Sequence, residues 1–142
     1  MHNYEVNLEW VKDRIGTIGS PTLTQSIEIA TPPEFPKGMG GIWSPEHLFA
    51  AAVNSCLMTT FLAIAENSKL DFVSLNSTAI GILDKVDGKY MMTEVVLRPT
   101  LVINNPGVQE KAKRVLEMSE KACLISNSIK SKIVFEPVIQ IQ

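Results

Sequence analysis

The chain of 142 residues is long enough for one domain with a hydrophobic core, and 45% hydrophobic with 20% charged residues is a typical globular composition. Its 13 basic and 15 acidic residues give a net charge of −2 without a basic block, which argues against nucleic-acid binding.

The first residues lack the charged and apolar regions of a secretory signal, which favours a cytoplasmic protein. Structural disulfides rarely persist in that compartment, so two buried thiols are the simplest interpretation of the two cysteines. We predict one domain over residues 1–142.

The first forty residues predict an antiparallel meander followed by a loop. Tyr4, Val6, Leu8 and Trp10 alternate with polar residues, which is typical of a half-buried strand, and the alternation resumes over residues 26–29. Residues 31–41 are rich in proline and glycine and predict a loop. This loop lacks the lysine and the strand-to-helix context of a phosphate-binding loop.

The central part of the chain predicts a long helix. Ser44-Pro45-Glu46 combines a capping hydroxyl, a proline at the first helical position and an acid in the first turn. The helix should run to about Asn67 and is apolar on nearly all sides, so we expect it to be central and buried. The uncharged run Leu48 to Ile64 contains asparagine, serine and threonine, and a core helix explains it better than a membrane span.

The remaining sequence predicts two strands, a second helix and a closing strand. Residues 72–83 and 90–103 are rich in β-branched and aromatic residues, and Asp87-Gly88 between them favours a hairpin turn. Asn104-Asn105-Pro106 opens the second helix, and residues 130–141 form a strand in which Pro137 indicates an edge position or a bulge. The order predicts an α+β fold.

Cys56 is the first candidate for chemistry. It lies in the third turn of the long helix, too far from the N-terminus to benefit from the helix dipole, and burial among apolar residues should raise its pKa. A nucleophilic thiolate would require a nearby cation. Of the three arginines, Arg98 and Arg114 are expected at the surface, and Arg14, between two predicted strands, is the remaining candidate.

Cys123 follows the second helix, and the sequence alone cannot bring its sulfur to that of Cys56. His2 and His47 share no metal-ligand spacing with the cysteines, so we predict no metal site. A Cys-His hydrolase is also disfavoured, because His47 stands about 13 Å from Cys56 along a regular helix and His2 lies at a chain end.

Three motifs of this chain resemble motifs of the OsmC/Ohr family, the osmotically inducible and organic hydroperoxide resistance proteins. The segment Ser44–Cys56 resembles the family's helix signature, with Glu46 and Cys56 at the family spacing. The segment Cys123–Asn127 matches a second motif, a cysteine followed by Ser-Asn, and Arg14 precedes Thr31-Pro32 as the family arginine precedes its Thr/Val-Pro pair. The resemblance covers almost the whole chain.

The resemblance implies an OsmC/Ohr-like fold with antiparallel sheets around two helices, assembled as an intertwined homodimer. It implies a cysteine-based peroxidase in which Arg14 holds Cys56 as a thiolate and Glu46 orients the guanidinium. Cys56 would become a sulfenic acid on reaction with an organic, and to a lesser extent hydrogen, peroxide. Cys123 would condense with it to a disulfide, which an external dithiol, of lipoyl type in relatives, would reduce. No cofactor, nucleic acid or membrane is implied.

Some positions depart from the family pattern. Leu124 and Ile125 replace the proline and aromatic residue that often follow the second cysteine, and Lys12, Asp13 and Ile15 replace glycines around the arginine. Asp13 could compete for Arg14. These departures point to a looser OsmC-like branch and leave an alternative open, a non-catalytic module that binds a small molecule or lipid and has structural cysteines.

The spacing of Glu46 and Cys56 bears on assembly. On one regular helix these residues stand about 15 Å apart, beyond easy reach of one Arg14 side chain. Either the helix start is irregular or the glutamate comes from another subunit. We therefore expect an obligate homodimer in which the central apolar helix is buried by its twin.

Overall fold

The computed structural model describes all 142 residues and contains two compact units, Met1–Leu48 and Phe49–Gln142. Seven strands and two α-helices follow one another in the order β-β-β-α-β-β-α-β-β, which confirms the α+β class. The single domain over residues 1–142 stays a prediction.

The N-terminal unit contains a three-stranded antiparallel sheet made of β1 (Asn7–Lys12), β2 (Ile15–Gly19) and β3 (Ile27–Ala30). The predicted meander is confirmed. The predicted half-burial of the first strand is wrong, because all of β1 is exposed, with Leu8 at 70% and Trp10 at 72% of their full accessible surface. No element of this unit covers either face of this edge strand.

The proline- and glycine-rich segment 31–41 is a loop, as predicted. The Met39 N–H donates to the Thr31 carbonyl at 2.8 Å and closes it. Within it, a Cβ at position 38 would overlap the Pro32 carbonyl oxygen, so this turn requires Gly38.

Helix α1 (Pro45–Asn67) begins and ends where the sequence predicts. The Ser44 hydroxyl accepts the His47 backbone N–H at 3.2 Å, and the His47 ring Nδ1 lies 3.3 Å from the Ser44 N–H, so His47 completes a capping box. The buried face consists of Val53, Cys56, Leu57, Phe61 and Ala65.

In the single chain α1 is buried on one face only, so the burial of its other side by a second subunit stays a prediction. The opposite face is open, and Met58 and Leu62 expose 46% and 44% of their surface there. The sheet of the C-terminal unit packs against only one side of this helix, so its other apolar side has no partner within the unit.

The C-terminal unit has a four-stranded sheet built on a long hairpin of β4 (Ser74–Val86) and β5 (Lys89–Ile103). Asp87 and Gly88 have positive φ angles of 51° and 77°, so the predicted Asp-Gly turn is confirmed. Two short strands, β6 (Lys132–Phe135) and β7 (Val138–Ile141), replace the single closing strand that was predicted. Both pair with β5 in parallel, so this sheet is mixed rather than antiparallel. Pro137 lies at the break because it has no N–H to donate.

Helix α2 (Gln109–Ala122) follows a short 3-10 helix, Pro106–Val108, whose start is capped by the Asn105 side chain. Two apolar clusters form the core of the C-terminal unit. One joins the end of α1 to α2 and the end of β5. The other joins Val53 and Leu57 of α1 to Val95 and Leu97 of β5, beside Cys56.

Candidate active site

The structure brings the two cysteine sulfurs together. Cys56 lies on the buried face of α1 and Cys123 directly after α2, and the Cys123 thiol is within hydrogen-bond reach of the Cys56 sulfur. Both are free thiols; Cys123 is fully buried, whereas Cys56 keeps 8% of its surface exposed. Cys56 is therefore the more accessible of two adjacent sulfurs.

The turn after α2 holds Cys123 in place. The Asn127 N–H donates to the Cys123 carbonyl at 3.0 Å, and the Asn127 side chain donates to the Lys121 carbonyl at 3.1 Å at the end of the helix. A 3-10 helix, Ser126–Ser128, follows, and the Ser128 hydroxyl donates to the Leu124 carbonyl at 2.7 Å. The Cys-x-x-Ser-Asn motif is therefore a helix-terminating turn that fixes one sulfur.

This turn also presents hydrogen-bond donors to Cys56. Burial opposes ionisation of the Cys56 thiol, but donation from the Cys123 thiol, the Ile125 N–H, the Thr60 hydroxyl and the Leu124 N–H outweighs it and lowers the pKa of Cys56. The expectation that burial would leave this pKa raised is thus wrong. Hydrogen bonds account for this lowering in the single chain, and the role of Arg14 stays a prediction.

Cys123 has the opposite tendency. Burial raises the pKa of the Cys123 thiol, and its hydrogen bond to Cys56 and the negative charge there raise it further, against the opposing effect of Ser126. The buried Ser126 hydroxyl has no other hydrogen-bond partner. The Cys56 thiol therefore ionises more readily than the Cys123 thiol.

Arg14 lies in the tight turn between β1 and β2. Asp13 adopts a positive φ of 48°, and its carbonyl accepts the Trp10 indole N–H at 3.0 Å. The Arg14 carbonyl accepts the Thr31 N–H at 3.3 Å, which fixes the backbone while the side chain is exposed. Arg14 makes no ion pair with Asp13, so the suspected competition is absent.

Arg14 and Glu46 line the same open cavity of the N-terminal unit, of about 830 Å³, with apolar walls that include Leu8, Trp10 and Phe35. One carboxylate oxygen of Glu46, Oε1, is buried without a hydrogen-bond partner. The carboxylate of Glu46 is negative and the guanidinium of Arg14 is positive, so these two unpaired groups in one cavity have complementary charges. The structure thus places Arg14 and Glu46 around one cavity of the N-terminal unit, without an ion pair, and Cys56 beside Cys123 in the C-terminal unit.

The two other arginines lie at the surface, as predicted. Arg98 forms an exposed ion pair with Glu136 at 2.8 Å, and Arg114 is exposed. His47 is used in the helix cap. No three His, Cys, Asp or Glu side chains are grouped closely enough to hold a metal ion.

Sequence reasoning missed the donors around Cys56. Thr60 could have been found, because residues four apart share a helix face. The N–H groups of Leu124 and Ile125 have no signal of their own, since every residue except proline carries one.

Comparison with known proteins assigns the chain to a family. A family model described as OsmC-like protein matches residues 38–138. The chain belongs to the OsmC-like family. The uncharacterized protein YmaD of Bacillus subtilis is 26% identical over 137 residues, which cover 93% of this chain and 89% of YmaD.

Solved structures share the OsmC-like fold along the whole chain. An OsmC-like protein of unknown function from Vibrio cholerae is 27% identical with a TM-score of 0.86, covering 97% of this chain and all of its own. An organic hydroperoxide resistance protein from Elizabethkingia anophelis is 19% identical with a TM-score of 0.79, covering 100% of this chain and 98% of its own. At that identity the second likeness establishes the fold alone.

Helix α1 is the one helix long and apolar enough to cross a membrane. The core helix of a soluble protein can have the same length and composition. The packing of its buried face against β5 agrees with the prediction of a core helix.

Proposed function

We propose that this protein is a thiol-dependent peroxidase that reduces organic hydroperoxides, and more slowly hydrogen peroxide, in the cytoplasm. The observation that carries the proposal is the contact between Cys56, whose pKa is lowered, and the protonated thiol of Cys123. A thiolate beside a thiol is what peroxide reduction through a disulfide requires.

The reaction follows from these two protonation states. The Cys56 thiolate attacks the terminal peroxide oxygen, the O–O bond breaks, and the departing alkoxide takes a proton to become an alcohol. The product, Cys56 sulfenic acid, is attacked by the Cys123 sulfur, which forms the disulfide and releases water. An external dithiol of lipoyl type then reduces the disulfide by exchange and is itself oxidised to a disulfide. No bound cofactor is needed.

Arg14 and Glu46 complete the site in this proposal. The guanidinium stabilises the thiolate and the departing oxygen, and the carboxylate orients the guanidinium. Because α1 is helical from Pro45 onward, Glu46 has no irregular helix start that would bring it closer to Cys56. We therefore assign Arg14 and Glu46 to the partner subunit of a homodimer.

Two exposed apolar surfaces support the homodimer. One is the open face of α1 around Met58 and Leu62, and the other is β1 with Leu8 and Trp10. Large exposed apolar surfaces mark interaction sites. A light-scattering mass that corresponds to one folded, active chain would rule the dimer out.

The surroundings favour an organic substrate. The cavity that Arg14 lines has apolar walls, which include Leu8, Trp10 and Phe35. Such surfaces bind an alkyl chain better than they bind water or hydrogen peroxide. The net charge of −2 without a basic block leaves no role for nucleic acid.

A steady-state assay tests the proposal. Tert-butyl, cumene and hydrogen peroxide are each supplied with dihydrolipoamide and, separately, with dithiothreitol. We expect turnover with organic peroxides that Cys56→Ser abolishes, whereas the exposed-surface variant Arg114→Gln retains full activity. If neither reductant supports peroxide consumption above the Cys56→Ser background, the peroxidase proposal fails.

One observation favours the alternative of a non-catalytic binding module. A cavity of about 480 Å³ in the C-terminal unit is lined by Phe49, Met91, Met92, Lys89 and Lys130, among others, and its apolar walls with two lysines fit an anionic lipid. Titration with a fluorescent fatty acid tests it. Saturable binding that Lys89→Glu weakens, in a protein without peroxidase activity, would favour the module over the enzyme.

A further inference from the structure

The hydroxyl groups of α1 differ in what they bind. The Ser55 hydroxyl donates to the Ala51 carbonyl at 2.6 Å and the Thr59 hydroxyl to the Cys56 carbonyl at 3.1 Å. Serine and threonine in helices commonly return their hydrogen bond to the backbone in this way. Ser119 in α2 does the same, with the Val115 carbonyl at 2.6 Å.

Thr60 is the exception. Its Oγ1 lies 3.8 Å from the Cys56 sulfur, a distance suited to a hydrogen bond that involves sulfur. A threonine at this position would otherwise donate to the Cys56 carbonyl, four residues earlier. The Thr59 hydroxyl already donates to that carbonyl. Thr60 is thus left to face the sulfur.

We infer that Thr60 is a further catalytic residue, whose hydroxyl donates a hydrogen bond to the Cys56 sulfur and holds it as a thiolate in one orientation. This inference rests on the proposed function, because it concerns the nucleophile of that reaction. Thr60 makes this contact from the same helix as Cys56, at i+4, so the donor is in place before any substrate or partner arrives. The Leu124 and Ile125 N–H groups act on the sulfur from the turn after α2.

The hydrogen bond has a definite function in the reaction. A thiolate that accepts a hydroxyl hydrogen is held in one side-chain rotamer, and attack on the O–O bond requires the sulfur to lie in line with that bond. When the sulfur becomes a sulfenic acid, the negative charge is gone and the hydroxyl is released from its strongest acceptor. Thr60 therefore stabilises the reactive state more than the oxidised product.

The experiment compares three variants. Thr60→Val removes the hydroxyl and keeps the shape, Thr60→Ser restores a hydroxyl, and Thr59→Val removes the neighbouring hydroxyl that binds only backbone. The readouts are the rate of Cys56 alkylation by iodoacetamide from pH 5 to 10, with the labelled site identified by mass spectrometry, and the single-turnover rate with tert-butyl hydroperoxide. Thr60→Ala is made as a second hydroxyl-free variant, so the test stands if valine disturbs folding.

We expect Thr60→Val to be alkylated about tenfold more slowly than wild type at pH 6, as for the loss of one hydrogen bond to an ionised group, with a deficit that closes at high pH. Thr60→Ser and Thr59→Val should follow the wild-type profile. A structural defect would lower the rate at every pH instead. Identical profiles for wild type, Thr60→Val and Thr60→Ala would overturn the role of Thr60. If the profile shifts as expected but no peroxide is reduced, the proposed function fails while the contact stands.

Discussion

Removal of the Cys123 thiol should make Cys56 less reactive before any peroxide is involved. In the folded chain that thiol donates a hydrogen bond to the Cys56 sulfur and helps to lower the pKa of Cys56 against the effect of burial. A hydrogen bond to a charged group contributes about 1.5–3 kcal/mol, and a thiol is a weak donor, so the lower end applies. About 1.4 kcal/mol corresponds to a factor of ten in an equilibrium. Cys123→Ala should therefore be alkylated at Cys56 about tenfold more slowly at pH 7.

The assay is stopped-flow alkylation of the reduced protein over a pH series, with peptide mapping to assign the label. Cys123 itself should remain unlabelled in the wild type, because its thiol is fully buried and its pKa is raised. Cys123→Ser is the matched control, since its hydroxyl is also a hydrogen-bond donor. We expect it to retain most of the wild-type rate. An unchanged rate in Cys123→Ala would refute the assignment of Cys123 as a donor to the Cys56 thiolate.

Three further predictions concern stability. The pKa of Cys56 is lowered in the folded chain, so the stability that its thiolate contributes is present above the ordinary thiol pKa and is lost as pH falls through the folded pKa. In urea titrations, the unfolding free energy of the reduced wild type minus that of Cys56→Ser should therefore rise from pH 6 to pH 8.5. Asn54→Ala removes the amide that donates to the Ser77 carbonyl at 2.9 Å and should lower the unfolding free energy by about 1 kcal/mol; an unchanged urea midpoint would contradict this. Leu57→Ala, at a fully buried position, should cost about 2–5 kcal/mol by the same titration, and a loss below about 1 kcal/mol would mean that the site is not packed as described.

The sequence predicted the elements whose signals are local. The limits of α1 follow from the Ser44-Pro45 start and the apolar run after it, and both ends are confirmed. The hairpin follows from Asp87-Gly88, because few other residue pairs accept two successive positive φ angles. In each case the residues concerned specify the backbone conformation without help from distant parts of the chain.

Features that depend on distant contacts were predicted less well. The parallel pairing of β6 and β7 with β5 has no local signal, since a strand pattern is the same in either direction. The alternation in β1 predicts an apolar face but not what covers it, and in the single chain nothing does. The same holds for the open side of α1.

The candidate site divides in the same way. Cys56, Cys123, Arg14 and Glu46 were named because their side-chain chemistry and motif spacing are visible in the sequence. The hydrogen bonds that lower the pKa of Cys56 were not foreseen, because some come from backbone N–H groups after a helix, which only the fold directs at the sulfur. The sequence thus identifies the candidate residues, and the structure identifies the hydrogen-bond donors around one of them.

The central claim is that Cys56 and Cys123 form one redox couple. The most direct test treats the reduced protein with one equivalent of tert-butyl hydroperoxide and measures the intact mass and the peptide map. We predict the loss of two hydrogens and a single disulfide that joins Cys56 to Cys123, with no change in the Cys56→Ser variant. A stable sulfenic or sulfinic acid at Cys56, with Cys123 still reduced, would contradict the account.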